Sequence, residues 1–364
     1  MTGIVLLIVA GCVTALVLAA LAYRAIRQHQ VARGLAITTP HGITESGYVD
    51  IGGIEQWIQI RGEDRHNPVL LILHGGPGMS YLATAPLLRS WEKHFTLVHW
   101  DRRGTGKTFG RNGKAGSQPM SFDQMIDDGI EVAEHLRRRL DQDKVIVLAS
   151  SMGTLVGLPM VQRRPDLFHA YIGTDQYVDV ARNEAVSYQM TLDRARAAGN
   201  KGIIARLEKI GADPLRWSVR DWQVKQQCTS RTDPLAPGGD MKLLLPRVLT
   251  SPAYRLRDIV HLGAGAQFST TQLLAQALAY DARRLGTRFE VPFFLLQGET
   301  DVMTLTSLAQ EYFTEIDAPM QGMTLIPDAG HLAAFYQPEA FLAALLASRD
   351  ASGGSRTAYP AGRS

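Results

Sequence analysis

The chain has 364 residues, 38 of them basic and 35 acidic, for a net charge of +3. Arg24, Arg27 and Arg33 carry the whole excess: residues 1–34 hold no Asp or Glu, and the rest holds 35 groups of each sign. A neutral body argues against a nucleic-acid binder, which would show a basic domain. A composition of 45% hydrophobic and 20% charged residues argues against a disordered chain. Two cysteines, Cys12 and Cys228, cannot build a disulfide framework or a cysteine-rich zinc site.

No charged side chain occurs from Met1 to Tyr23, and Ile4 to Ala22 is almost entirely aliphatic. About 20 such residues make a helix that crosses the hydrocarbon core of a bilayer. The sequence therefore predicts a transmembrane anchor over 1–27, in contact with lipid through residues 4–22. The arginines that follow place their flank, and the body, in the cytoplasm by the positive-inside bias, with the exported side as the alternative. A cleaved signal peptide would want a basic start and a shorter apolar core. Val9-Ala10-Gly11-Cys12 resembles a lipobox, but the apolar run continues past Cys12 and no Lys or Arg precedes it. A buried core helix fits poorly with the basic flank and with the polar, turn-rich linker expected over 28–47.

The body opens with strand patterns at Tyr48–Ile51 and Ile54–Ile60 around Gly52-Gly53, which suits a two-residue hairpin. Val69–Leu73 and Phe95–Trp100 are short apolar runs of the kind buried on both faces. Ser121 is a candidate N-cap for a helix reaching Arg139. Lys144–Leu148 reads as a strand, Gly153–Arg163 as a helix and Ala170–Ile172 as a strand. From Tyr177 to Glu290 the spacing is helical, with punctuation by Pro214, Pro234, Pro237, Gly238, Gly239, Pro246 and Pro252. Alternation then resumes: strands at Val291–Gln297 and Met323–Ile326, helices at Thr306–Ile316 and Ala333–Ala347. Such alternation means an α/β fold, a mostly parallel sheet with helices on both faces. The expected organisation is a core over 48–176 and 291–348, an inserted helical cap over 177–290 and a flexible tail over 349–364.

The strongest chemical signal is Val145-Ile146-Val147-Leu148-Ala149-Ser150-Ser151-Met152-Gly153. A buried strand running through small residues into a helix is the setting of a nucleophile elbow. Ser151 fits the nucleophile position, because Ala149 and Gly153 flank it two residues away on either side. Ser150 would instead be flanked by Leu148 and Met152, which are too bulky. His74-Gly75-Gly76-Pro77-Gly78 follows another strand, and its backbone N–H groups suit an oxyanion hole. The amide of Gly76 or Gly75 would act there with that of Met152. In this architecture the acid and the histidine follow the serine, which selects Asp301 after one strand and His331 after the next. Asp175, at the end of the Ala170–Ile172 strand, and Glu299 are alternative acids. Gly104-Thr105-Gly106-Lys107-Thr108 fails the phosphate-loop spacing, since the required glycine is Asp101. No metal, cofactor or nucleic-acid site is expected.

With these motifs in place, the chain resembles an α/β-hydrolase of the proline iminopeptidase-like group over about residues 48–347. His74-Gly75-Gly76-Pro77-Gly78 is similar to that group's signature. Asp101-Arg102-Arg103-Gly104-Thr105-Gly106-Lys107-Thr108 is similar to its second one, with Arg102 for Gln and Thr108 for Ser. The resemblance implies a serine hydrolase working through a Ser151–His331–Asp301 triad and an acyl-enzyme, on a short peptide or a small molecule. It also implies cap glutamates that read a free amino group. Trp217–Trp222 faintly resembles the tryptophan-rich stretch of that cap, but Gln223 stands where the group tends to carry Glu. Gly298-Glu299-Thr300 before Asp301 is commoner among ester-cleaving relatives, so a carboxylesterase or amidase is the alternative. Epoxide hydrolases and dehalogenases would need an Asp at the elbow. A non-catalytic binding protein on the same fold is the reading from another class.

Overall fold

The structure, a computed structural model, describes residues 2–235 and 240–353. Helix α1 (Thr2–Gly34) is apolar on every side from Ile4 to Ala22 and buries none of its side chains against the rest of the chain. The linker expected over 28–47 is shorter than its composition suggested. Gln28 to Arg33 contain no breaker, so the helix continues to Gly34, and strand β1 (Ile43–Ile51) starts before residue 47. Only residues 35–42, with Pro40 and Gly42, connect the two.

β1 pairs antiparallel with β2 (Ile54–Gly62), and Gly52 and Gly53 between them both take positive φ (56° and 74°). That is the mirror-image turn whose twist matches a hairpin, and glycine adopts it at least cost. β3 (Val69–Leu73), β4 (Thr96–Asp101), α2 (Gly106–Gly116), α3 (Phe122–Leu140), β5 (Val145–Ser150), α4 (Thr154–Arg163) and β6 (Phe168–Thr174) follow. Ser121 caps α3, accepting a hydrogen bond from the Gln124 amide. The Leu82–Lys93 3-10 segment and α2 were not read from the sequence. Pro86 lies inside the first, and the glycines of the second, Gly106, Gly110, Gly113 and Gly116, lower its helix propensity.

Among the described residues, five α-helices separate β6 from β7 (Phe293–Gly298). They are α5 (Val180–Ala197), α6 (Lys201–Ile210), α7 (Val219–Thr232), α8 (Asp240–Thr250) and α9 (Leu256–Leu278). Pro237, Gly238 and Gly239 lie outside the described residues. α10 (Thr306–Phe313) and β8 (Gln321–Ile326) complete the alternation. The single terminal helix expected over 333–347 is two, α11 (Ala333–Tyr336) and α12 (Pro338–Ala351), because Pro338 has no N–H to continue the first. α12 also takes in residues 349–351 of the expected tail; residues 354–364 lie outside the described residues.

The eight strands run in the order β1-β2-β4-β3-β5-β6-β7-β8, parallel from β4 onward and antiparallel at the β1–β2–β4 edge. β5 shows why its sequence is continuously apolar. Val145, Val147 and Ala149 enter the core on one face, and Ile146 and Leu148 enter the core on the other. α5 to α9 follow the carboxyl end of β6, so they rise from the edge of the sheet where open α/β folds bind ligands.

A buried ion pair joins the hairpin to the central sheet. Arg103 Nε and Nη2 donate to the two carboxylate oxygens of Asp128 at 2.9 and 3.1 Å. The same carboxylate accepts from Gln56 and Gln124, each at 2.8 Å, and Arg103 also donates to the Gly52 carbonyl. Breaking a buried pair strands a charge, at a cost of about 3–5 kcal/mol. Asp128→Ala is therefore expected to lower the unfolding free energy by about that amount, read from denaturant titration of the detergent-solubilised protein. A loss below 1 kcal/mol would contradict this account.

Candidate active site

Ser151 sits at the carboxyl end of β5, 7% exposed, with φ of 53°. A serine in left-handed backbone is strained, and the surroundings impose it. The chain must turn from β5 into α4 within the three residues Ser151–Gly153. A Cβ on Gly153 would lie 2.3 Å from the Leu73 carbonyl oxygen, so only glycine lets the turn pack beneath β3. A Cβ on Gly75 would lie 2.9 Å from the Cβ of Ser151, so the loop after β3 passes directly over the serine. Gly76, the next residue, takes φ of 55°. Met152, buried, packs against the base of the cap with Tyr177 and Leu274.

Asp301 and His331 stand at the ends of β7 and β8, with Asp301 Oδ2 3.0 Å from His331 Nδ1. Asp301 is saturated with donors. Its Oδ1 accepts from the amides of Met303 (2.8 Å) and Thr304 (3.0 Å), and its Oδ2 from Thr304 Oγ1 (2.5 Å) and Gln297 (3.2 Å). Asn183 of α5 donates to the Met303 carbonyl and accepts from the Leu305 amide, tying the cap to this loop. Glu299 is exposed.

Asp175, the alternative acid, is also drawn in. Its Oδ1 lies 3.9 Å from His331 Nδ1 and accepts from the Leu332 amide, while its Oδ2 accepts from Ser150 Oγ at 2.8 Å. Ser150 in turn lies 3.0 Å from the Tyr81 hydroxyl. Asp175, Asp301 and His331 thus form one buried cluster. They offer one nitrogen and two carboxylates, but the short Asp301–His331 hydrogen bond already uses the nitrogen facing the acids. Burial raises the Asp175 carboxyl to about 6; His331 opposes that shift and Asp301 adds to it.

Arg102, the residue that departs from the second signature, lies buried behind the glycine loop. It donates to the His74 carbonyl at 2.5 Å and packs on the His74 ring. Burial pulls its guanidinium down to about 10. Burial, with Arg102 beside it, drives the His74 imidazole well below its ordinary range. Asp101 accepts from the Lys107 amide at 2.8 Å, and burial raises it to about 6. In the cap, Glu184 and Lys225 form a fully buried ion pair at 2.7 Å. Gln223 faces solvent-side Gln267. Asp233, at the end of α7, brings its carboxylate beside Gly330. Sequence reasoning missed Tyr81, Asn183 and Asp233, none of which carried a local signal, and weighed Ser150 only as a nucleophile, not as the hydroxyl that donates to Asp175.

The raised Asp175 carboxyl has a consequence for stability. The folded chain binds a proton there that the unfolded chain has released, so unfolding free energy falls as pH rises from about 4 to about 6, then levels off. Asp175→Asn is expected to make that slope shallower, measured by denaturation midpoints between pH 4 and 7. An unchanged slope would show that Asp175 ionises normally.

The α/β hydrolase fold family model matches residues 68–338. A probable aminopeptidase, YbaC, of Bacillus subtilis is 26% identical over 302 residues, 80% of this chain and 92% of that protein. A proline iminopeptidase of Thermoplasma volcanium is 32% identical over 115 residues, 31% of this chain and 36% of that protein. Among solved structures, a bacterial membrane phospholipase A superposes with a TM-score of 0.59 at 18% identity, covering 95% of this chain and 98% of that one. With its parallel sheet and strand-end site, this chain belongs to the α/β-hydrolase fold family and is a hydrolase, similar to proteins of the proline iminopeptidase-like group.

Proposed function

We propose that the chain is a membrane-anchored serine hydrolase that releases the N-terminal residue of short peptides through an acyl-enzyme. The observation that carries this is Ser151 itself. It is a non-glycine residue held at φ of 53° beneath Gly75, on the same sheet edge as the buried Asp301–His331 pair. In this reading Ser151 Oγ attacks the scissile carbonyl and gives its proton to His331 Nε2. Asp301 holds Nδ1–H and so sets the tautomer. The amides of Gly76 (or Gly75) and Met152 donate to the oxyanion. His331 then protonates the leaving amine, and water repeats the sequence in reverse to free the acid. Asp233, buried beside Gly330, supplies the carboxylate that meets the substrate's ammonium group. Ile4 to Ala22 of α1 anchor the enzyme in the bilayer, with the body on the cytoplasmic side by the positive-inside bias.

A second reading, an esterase or amidase on small acyl substrates, is favoured by the Glu184–Lys225 pair. That cap glutamate is already neutralised at 2.7 Å, and Gln223 offers no charge.

A fluorophosphonate probe should label the wild type and spare Ser151→Ala. Equal labelling of both would remove Ser151 from the nucleophile's role. Substrate class separates on a panel of prolyl and alanyl arylamides against short acyl esters. Peptidase action predicts arylamide turnover, with Asp233→Asn raising KM for arylamides by about tenfold, about the 1.4 kcal/mol of a lost charged contact, and leaving ester KM unchanged. Turnover of esters alone would support the second reading.

A further inference from the structure

We propose that the cap segment spanning the last turns of α8 and the first of α9, residues 242–260, docks on the anionic surface of the bilayer that α1 enters. The proposal rests on the reading of α1 as a membrane anchor.

Depth is the first argument. At 1.5 Å per residue, Ile4 to Ala22 spans about 28 Å, close to the roughly 30 Å of a hydrocarbon core. Arg24 follows two residues later, so its guanidinium belongs at the polar boundary. That guanidinium donates to the carbonyls of Leu249 (2.9 Å) and Tyr254 (2.7 Å). One turn further on, Gln28 donates to the carbonyls of Ser251 (2.6 Å) and Tyr254 (3.1 Å). These bonds hold the end of α8 and the loop after it level with the headgroups.

The second argument is what the segment presents there. Leu245 (46% exposed) and Leu249 (42%) lie one turn apart on α8, and Leu256 (52%) and Val260 (70%) one turn apart on α9. Each pair therefore shares a face of its helix. Exposed aliphatic groups at headgroup depth insert into the acyl boundary, as those of interfacial helices do.

Charge is the third argument. Residues 242–260 carry Lys242, Arg247, Arg255 and Arg257 against Asp258, a net of +3. Asp258 is itself held by Lys107 at 3.3 Å. Together with the three arginines of α1 this makes +6, while the rest of the chain is net −3. The positive charge thus gathers on the side where α1 meets the cap, complementary to anionic lipid. The depth argument also selects the occupant, since a soluble partner would have to displace lipid to reach the Leu249 face.

The docked segment is continuous with the candidate site. The Tyr254 hydroxyl donates to Ser80 Oγ at 2.8 Å, just past the glycine loop. A Cβ on Gly78 would lie 2.6 Å from Ala266 Cα of α9.

The test uses the full chain reconstituted in vesicles of phosphatidylcholine with phosphatidylglycerol, carrying lipid-borne spin-label quenchers at defined depths. An environment-sensitive fluorophore is placed on native Cys12, which is exposed, while buried Cys228 stays unlabelled. In a Cys12→Ala background it is placed instead at Leu249→Cys, at Val260→Cys, or at Asp143→Cys beside the amino end of β5. Docking predicts quenching by about twofold at Leu249→Cys and Val260→Cys from headgroup-proximal quenchers. It predicts deep quenching at Cys12 and none at Asp143→Cys. Quenching at Cys12 with none at either cap position overturns docking and leaves the anchor standing. No quenching at Cys12 overturns the anchor, and docking with it. Energy transfer between labelled copies at Leu249→Cys, without lipid quenching, assigns the face to a second copy and overturns docking. Retained hydrolysis of whichever arylamide or ester the wild type turns over verifies that each labelled variant is folded.

Discussion

Ser151 occupies a backbone region that costs a non-glycine residue about 1–3 kcal/mol, and the molecule is arranged around keeping it there. The strand before it must be straight and buried, which the alternation of Val145, Val147 and Ala149 with Ile146 and Leu148 secures on both faces. The helix after it must start at once and pack under β3, which leaves no room for a side chain at residue 153. The loop over it passes so close to the serine that it leaves none at residue 75. Strain at one residue is thus met by close packing at several, each supplied by a different strand or helix.

The polar groups beneath this turn follow the same logic of full satisfaction. A buried carboxylate is tolerable when its lone pairs are filled, and Asp301 accepts from two amides, a hydroxyl and an amide side chain besides facing His331. Asp175 is buried, and its burial, with Asp301 adding to it, makes its proton harder to remove. Arg102 lies deep in the core and braces the His74 carbonyl at the start of the glycine loop. The cap is tied to these elements by short contacts: Asn183 to the Asp301 loop, Tyr254 to Ser80, and Ser269 to the Gly104 carbonyl.

Much of this was legible in the linear pattern where a local rule governs it. The inner strands of the parallel sheet, β3 to β7, show as apolar runs because both their faces are covered. Ser121 shows as a cap because the hydrogen bond it makes is three residues away. The elbow shows because glycine and alanine are forced there by contacts that recur wherever a strand turns sharply into a helix. The boundary of α1 was misjudged by seven residues for the opposite reason: polarity at 28–34 suggested a linker, whereas Arg24 and Gln28 pin that stretch of helix against the end of α8. The Leu82–Lys93 segment and α2 were missed because their proline and glycines are poor helix formers, and tertiary packing makes up the difference.

By itself the sequence determined an α/β architecture, an apolar N-terminal helix, a strained serine turn, and an acid and a histidine at successive strand ends. All of these depend on neighbours within a few residues. Only the tertiary structure decided which carboxylates share the histidine, since Asp175 and Asp301 are 126 positions apart in the chain and meet because β6 and β7 are adjacent. It alone showed that the cap glutamate Glu184 is already paired with Lys225, and that Asp233 comes to lie beside Gly330. It alone brought Arg24 against Leu249, 225 residues away. Such contacts are set by how whole elements pack, and no short stretch of sequence encodes them.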